Sequence, residues 1–125
     1  MTHLFDTDVL IFHLKDHYIL PITPDMPPAI SVITYAELLY GVEKSKNPKR
    51  RTQLEALLQD LRMVILPVTP AIIARFIALK IQLETDGEKL ADFDLLIAAT
   101  AMEHNLTLIT GNKKHFSRIP GLSLA

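Results

Sequence analysis

Acidic side chains at the ends of apolar segments are the residues of this chain whose types and spacing could do chemistry. Asp6 and Asp8 follow the apolar start of the chain in LFDTDVL, and Glu37, Asp92 and Asp94 occur in similar settings further on. A carboxylate beside a core strand costs desolvation free energy unless a cation or hydrogen-bond donors offset it. One acid in LFDTDVL is easily explained as a helix cap, but two raise the question of a metal ion.

Each acid also has an ordinary structural explanation. The sequence TYAE from Thr34 to Glu37 matches a capping box, which is the favoured explanation when this segment is taken alone. Asp92 suits a helix N-cap, Asp94 suits the first turn after it, and Asp8 suits the cap of a helix from residue 9. These explanations do not say why all of the acids would share one edge of a sheet.

Short apolar runs alternate with amphipathic stretches along the chain. The apolar runs predict strands at 3–6, 29–33, 63–68 and 106–110, with a weak edge strand at 122–124. Helical spacing predicts helices at 9–14, 35 to about 41–46, from 48, from 70 to 86, and 95–103. Prolines 21, 24, 27 and 28 exclude a regular helix and predict a loop or short ordered turns. In the helix from residue 70, the apolar residues at helical spacing are expected to face the core, although they would also suit a dimer seam. They are Ile73, Phe76, Ile77, Ile81 and Leu83.

The alternation predicts one α/β domain over residues 1–125, a three-layer α/β/α sandwich with a central, mainly parallel sheet of four to five strands. Ligands of such sheets bind beyond the carboxyl ends of the strands. We therefore expect Asp6, Glu37 and Asp94 to converge on one rim, with Asn112 beside them.

Carboxylates gathered in one crevice repel each other, so one of them is protonated or the group binds a cation. Oxygen ligands alone favour Mg²⁺ or Mn²⁺, and such an ion activates water for phosphodiester hydrolysis. Four histidines are not spaced as metal ligands relative to one another, so none of them is assigned to the site. They are His13, His17, His104 and His115.

Composition limits the classes of protein and partner. A net charge of −1 gives no whole-molecule attraction to polyanions, so nucleic acid would bind through a local basic patch. Because the chain has no cysteine, disulfide scaffolds and cysteine metal sites are excluded. Neither a secretory leader nor a span of about 18 apolar residues is evident, so we expect a cytoplasmic protein without a membrane partner.

Four blocks of this chain, in order, resemble PIN-domain ribonucleases, most closely the VapC toxins of bacterial VapBC toxin–antitoxin pairs. The blocks are LFDTD at 4–8, SVITYAELLYGVEKS at 31–45, DFDLLIAA at 92–99 and LITGNKKHF at 108–116. The resemblance implies a PIN-like fold and Mg²⁺-dependent endoribonuclease activity, with Mn²⁺ as a substitute. It also implies a homodimer, an RNA substrate, and a VapB-type antitoxin that inserts a segment into the active-site groove.

The same resemblance assigns roles to the acids. Asp6 matches the family's first metal-binding acid, Glu37 the second, and Asp94 the acid that opens the helix of the third block. The fourth acidic position falls on Asn112, an amide, which removes one negative charge.

Other residues of the blocks have two interpretations each. Asp8 and Asp92 are either additional ligands or helix-start residues, and Thr7 and Thr110 either orient the acids or simply pack. Four basic residues are expected to contact RNA phosphates, and the alternative is that they only lie in solvent at helix ends. They are Lys49, Arg50, Lys113 and Lys114.

Two other classes of protein are alternatives to a nuclease. A phosphoacceptor receiver domain would need an aspartate after its middle strand, and the segment from Val64 to Pro70 has none. A catalytically silent binding module with the same fold remains open, although the complete set Asp6, Glu37 and Asp94 argues against it.

Overall fold

The computed structural model describes residues 1–14 and 27–125. In chain order the elements are β1 His3–Phe5, α1 Thr7–Leu14, β2 Ala29–Ser31, α2 Val32–Ser45, α3 Pro48–Asp60, β3 Val64–Leu66, α4 Pro70–Thr85, α5 Asp92–Glu103, β4 Thr107–Ile109 and α6 Lys113–Phe116. The proline-loop prediction at residues 21 and 24, and the interpretation of His17, lie outside the described residues.

The sheet is parallel, with strand order β3-β2-β1-β4. In place of an edge strand at 122–124, Leu124 makes a single parallel bridge to Leu108. Because the strands run the same way, the carboxyl ends of β1, β2 and β4 meet at one edge, where the acids were expected.

Helices cover both faces of the sheet. Leu4 belongs to one apolar cluster, which includes residues of α4 and α5, whereas Phe5 belongs to a second cluster with residues of α1, α2 and α3. Successive side chains of a strand point to opposite faces, so β1, β2 and β4 contribute to both clusters, whereas β3 contributes Leu66 to the first. This arrangement confirms the predicted three-layer α/β/α sandwich.

Helix α2 begins earlier than the capping-box interpretation requires. The buried Ser31 is its N-cap, and the Ser31 side chain accepts a hydrogen bond from the Ile33 N–H at 3.0 Å. Thr34 is therefore inside the helix, and Glu37 lies in its second turn. The capping box was the wrong explanation for Glu37, because a serine at the strand end had already capped the helix.

The cap interpretations of two aspartates are also wrong. Helix α1 starts at Thr7, so Asp8 lies within its first turn. Helix α5 has Ala91 at its N-cap without a side-chain cap bond, so Asp92 is already helical. Asp94 is in the first turn of α5, as expected.

The core-facing side of α4 differs in part from the sequence expectation. Ile73, Ile77 and Ile81 are 41%, 45% and 58% exposed. Leu83 is buried and Phe76 packs partly buried against the core, as predicted. The other buried positions of this helix are Ile72 and Leu79, which the prediction did not include. Since α4 carries apolar residues on both sides, periodicity alone could not choose the buried side; packing against α5 chose it.

Among the described residues, no helix is both long and apolar enough to cross a membrane.

Replacing Ser31 with alanine should lower the free energy of unfolding by about 1 kcal/mol, because the first turn of α2 loses its cap acceptor. Urea denaturation followed by circular dichroism measures this change. The control is Ser123→Ala at an exposed position, which should be nearly neutral. Equal effects of the two substitutions would contradict the assigned start of α2.

Candidate active site

Asp6 stands at the carboxyl end of β1 and is 6% exposed. Its backbone N–H donates to the Ile109 carbonyl at 2.9 Å, which ties it to β4. Its two carboxylate oxygens accept hydrogen bonds from the Thr7 N–H and the Thr110 hydroxyl, each at 2.8 Å. Both sides of the carboxylate are therefore held by the fold.

The pKa of Asp6 is raised from its ordinary value of 3.8 to about 6. Burial is the largest cause, and the negative charges of Asp8 and Asp94 raise the pKa further. The hydrogen bonds from Thr110 and Thr7 lower it, but they do not cancel the other effects. Ionised Asp6 thus lies among like charges in a place that water screens poorly.

Asp8 lies against the loop between β4 and α6. The Gly111 N–H is 3.5 Å from Asp8 Oδ1, and a Cβ atom at Gly111 would come within 3.0 Å of Asp8 Oδ2. The glycine permits this close approach because it has no side chain. Asp8 is therefore on the same rim as Asp6.

Glu37 joins the site through Thr7. The Thr7 hydroxyl donates to Glu37 Oε1 at 2.6 Å, and the hydroxyl oxygen of buried Thr34 lies 3.4 Å from that of Thr7. The backbone N–H of Thr7 bonds Asp6, so one residue contacts both acids. The expected orienting role of Thr7 thus has a geometric basis, and so does that of Thr110.

Asp94 is in contact with a histidine that sequence analysis left out. His115 Nε2 lies 2.9 Å from Asp94 Oδ2, and both side chains are half-buried. Histidine-to-histidine spacing was the wrong signal, because the partner of His115 is a carboxylate. The position of His115 in the block LITGNKKHF, five residues after Thr110, was the signal available.

Asn112 and Asp92 have different placements. The Asn112 N–H donates to the Thr110 hydroxyl at 3.0 Å, which keeps Asn112 beside the Asp6 partner. Asp92 instead pairs with Lys80 on α4, at 2.9 Å between Oδ1 and Nζ, and its side chain is 55% exposed. The interpretation of Asp92 as an additional ligand is not supported, since its carboxylate is engaged away from the other acids.

Within residues 1–14 and 27–125, no three His, Asp or Glu side chains are already gathered as a metal-binding cluster. Glu37 and Asp94 are instead held by Thr7 and His115. The donor set of carboxylate oxygens around Asp6 nevertheless fits a hard cation, whose charge would offset the repulsion that raises the Asp6 pKa.

A mainly apolar groove of about 250 Å³ begins at Glu37 and runs between α1, α2 and α3. Its other lining residues are Ile11, Leu14, Leu38, Gly41, Val42, Ser45, Arg50, Gln53 and Leu54. The lining of this groove thus includes a basic residue, Arg50, together with Glu37 of the site. Lys49, Lys113 and Lys114 are exposed, the last two at the start of α6 after Asn112.

A family profile and individual relatives of known sequence agree on the family of this chain. The PIN domain profile matches residues 4–122. A relative from Rickettsia felis, Ribonuclease VapC2, is 33% identical over 99% of this chain and 96% of its own length. A relative from Salmonella typhimurium, the tRNA(fMet)-specific endonuclease VapC, is 31% identical over 97% of this chain and 94% of its own length.

Solved structures agree with the sequence comparison. The VapBC2 structure from Rickettsia felis, bound to a promoter DNA fragment, contains a chain with a TM-score of 0.87 and 31% identity, covering 100% of this chain and 98% of that one. The polar residues of β1, α2, α5 and the segment after β4 lie at one rim, which agrees with these comparisons. The chain belongs to the PIN-domain family, in its branch of VapC ribonucleases.

Proposed function

We propose that this chain is a Mg²⁺-dependent endoribonuclease that acts as the toxin of a VapBC-type pair. The observation that carries the proposal is the buried Asp6 carboxylate, whose pKa is raised by burial and by the charges of Asp8 and Asp94. A fold that holds such a carboxylate with two hydrogen bonds preserves an energetically costly group. A divalent cation would offset that cost.

The residues that would hold the cation are Asp6, Asp94 and Glu37, each through carboxylate oxygens. When bound, the ion supplies an activated water and neutralises charge that develops on the phosphate. Thr110 and Thr7 orient Asp6, and Thr7 also orients Glu37. Asn112 is placed beside Thr110, where its amide would orient a phosphate oxygen or water.

RNA is the proposed substrate class. Relatives covering nearly the whole chain carry the names ribonuclease and tRNA-specific endonuclease. Arg50 in the groove and the exposed Lys49, Lys113 and Lys114 would contact phosphates, which positions a strand without selecting its sequence. These contacts fit a chain whose net charge gives no general attraction to nucleic acid.

The proposed partner is a VapB-type antitoxin, since the similar solved chain belongs to a VapBC structure. The apolar groove that begins at Glu37 is suited to an apolar peptide segment, and occupation of its Glu37 end would block access to the acids. A homodimer remains a prediction from the family resemblance, and a cytoplasmic location remains an expectation from the sequence features.

Purified protein should cleave RNA only with added Mg²⁺ or Mn²⁺. Asp6→Asn should lower the cleavage rate more than about 100-fold, because substituting a residue that only orients a metal ligand already lowers metal affinity or activity by about 10–100-fold. Cleavage of a labelled RNA followed on gels measures the rate.

The matched control is Asp92→Asn, since Asp92 pairs with Lys80 away from the other acids. It should keep nearly full activity. Cleavage that persists in EDTA and in Asp6→Asn would contradict the metal mechanism, and absence of any cleavage would favour the silent binding module.

The raised pKa of Asp6 predicts a pH-dependent stability of the metal-free protein. Because the folded-state pKa of about 6 exceeds the ordinary 3.8, the folded protein binds this proton more tightly, so stability falls as pH rises between these values. The cost at pH 7 is up to about 3 kcal/mol. Asp6→Asn removes the charge and should therefore be more stable than wild type at pH 7.

Urea unfolding in EDTA at pH 4 and pH 7 tests this expectation, because effects of the other acids cancel in the wild-type-minus-variant difference. The advantage of Asp6→Asn should nearly disappear at pH 4. Added Mg²⁺ should reduce it at pH 7, since the cation stabilises only the wild-type site. An advantage that does not change with pH would contradict the assigned charge burial.

Expression of the wild-type chain should arrest bacterial growth, because uncontrolled RNA cleavage removes transcripts or transfer RNA. Growth should recover with Asp6→Asn, or when a small protein encoded next to this chain is co-expressed. Growth curves measure both effects. Toxicity that Asp6→Asn does not relieve would separate growth arrest from nuclease activity.

A further inference from the structure

His115 makes a specific contact with one oxygen of Asp94. The distance from His115 Nε2 to Asp94 Oδ2 is 2.9 Å, and the side chains are 25% and 30% exposed. A carboxylate without a proton only accepts hydrogen bonds, so this contact requires the imidazole tautomer in which Nε2 donates. The second carboxylate oxygen, Oδ1, takes no part in the contact.

The imidazole ring is held by its neighbours. Phe116 is 1% exposed and anchors the short helix α6 in the core cluster. The His115 and Phe116 rings meet edge-on, with centroids 5.2 Å apart and an interplanar angle of 85°. The backbone N–H groups of both residues donate to the Asn112 carbonyl, at 3.2 and 3.3 Å.

One short segment, 110–116, therefore contacts two acids of the site that are far apart in sequence. At its start the Thr110 hydroxyl donates to Asp6 Oδ2, and near its end His115 contacts Asp94 Oδ2. The Asn112 N–H bonds the Thr110 hydroxyl and the Asn112 carbonyl accepts from His115, so the two contacts share one backbone scaffold.

We infer that His115 is a positioning residue, which holds Asp94 Oδ2 so that Oδ1 is presented to the cation in the crevice. This inference rests on the proposed function, because it concerns the same cation site. The physical reason is that a hydrogen bond to one oxygen limits rotation of the carboxylate and reduces the entropy lost when the other oxygen binds metal.

A different role for the same contact makes the opposite prediction. If His115 merely occupied Asp94 in place of a cation, its removal would release Asp94 and tighten metal binding. If the contact only helped α6 to pack, its removal would change the melting temperature and leave metal binding unchanged.

The test compares His115→Gln with His115→Asn. The glutamine amide nitrogen reaches about as far as Nε2, whereas the asparagine amide reaches only as far as Nδ1, so the pair differs by one methylene at the point that matters. Neither side chain carries a charge, and both are polar enough for the half-exposed position. His104→Asn is the control, because His104 is exposed at the other end of α5 from Asp94.

Mn²⁺ binding to the full chain, measured directly by electron paramagnetic resonance, is the main readout. His115→Asn should weaken Mn²⁺ binding about 10-fold, as expected for loss of a partner that orients a ligand. His115→Gln and His104→Asn should stay near wild type, and melting temperatures should change little. The Mn²⁺ concentration for half-maximal RNA cleavage should shift by the same factor.

Equal Mn²⁺ affinity of wild type and His115→Asn, or tighter binding by His115→Asn, would overturn the positioning role while leaving the proposed function intact. Equal weakening by Gln and Asn would also overturn it, because the geometry of the donor would then be irrelevant. A wild-type chain that binds no Mn²⁺ would overturn both proposals.

Discussion

The cost of burying the Asp6 carboxylate is the constraint on which the rest of the site depends. The side chain is 6% exposed and close to the charges of Asp8 and Asp94. Two hydrogen bonds reduce the cost but leave the pKa well above its ordinary value. The fold tolerates this because Asp6 lies at a strand end, where donors from Thr7 and Thr110 arrive from two neighbouring segments.

The same donors connect the remaining acids into one arrangement. Thr7 links Asp6 to Glu37, and the segment 110–116 links Asp6 to Asp94. The acids are thus held indirectly, each by a hydrogen-bond donor on another element. This organisation suits a centre where charge has to be kept in place before a cation or substrate arrives, because preorganised groups need little rearrangement on binding.

Sequence patterns predicted the elements of the fold well and the orientation of the helices less well. Alternating apolar runs were sufficient for the parallel sheet, because buried parallel strands read as short continuous apolar segments. The cap residues were harder, since Ser31 and Thr34 are both good N-caps and only the end of β2 chooses between them. The buried side of α4 was hidden for a related reason: Ile77 and Leu79 are equally apolar, and contact with α5 decides which is buried.

By itself, the sequence determined the chain order of the four strands and of helices α1 to α5, though not α6, and the presence of Asp6, Glu37 and Asp94 at positions that a parallel sheet brings to one rim. These features depend on local patterns of polar and apolar residues, which short segments of the sequence already contain. Only the tertiary structure decided that Asp92 pairs with Lys80 whereas His115 contacts Asp94. Such pairings join residues distant in sequence, and their geometry depends on how whole elements pack, which no local spacing specifies.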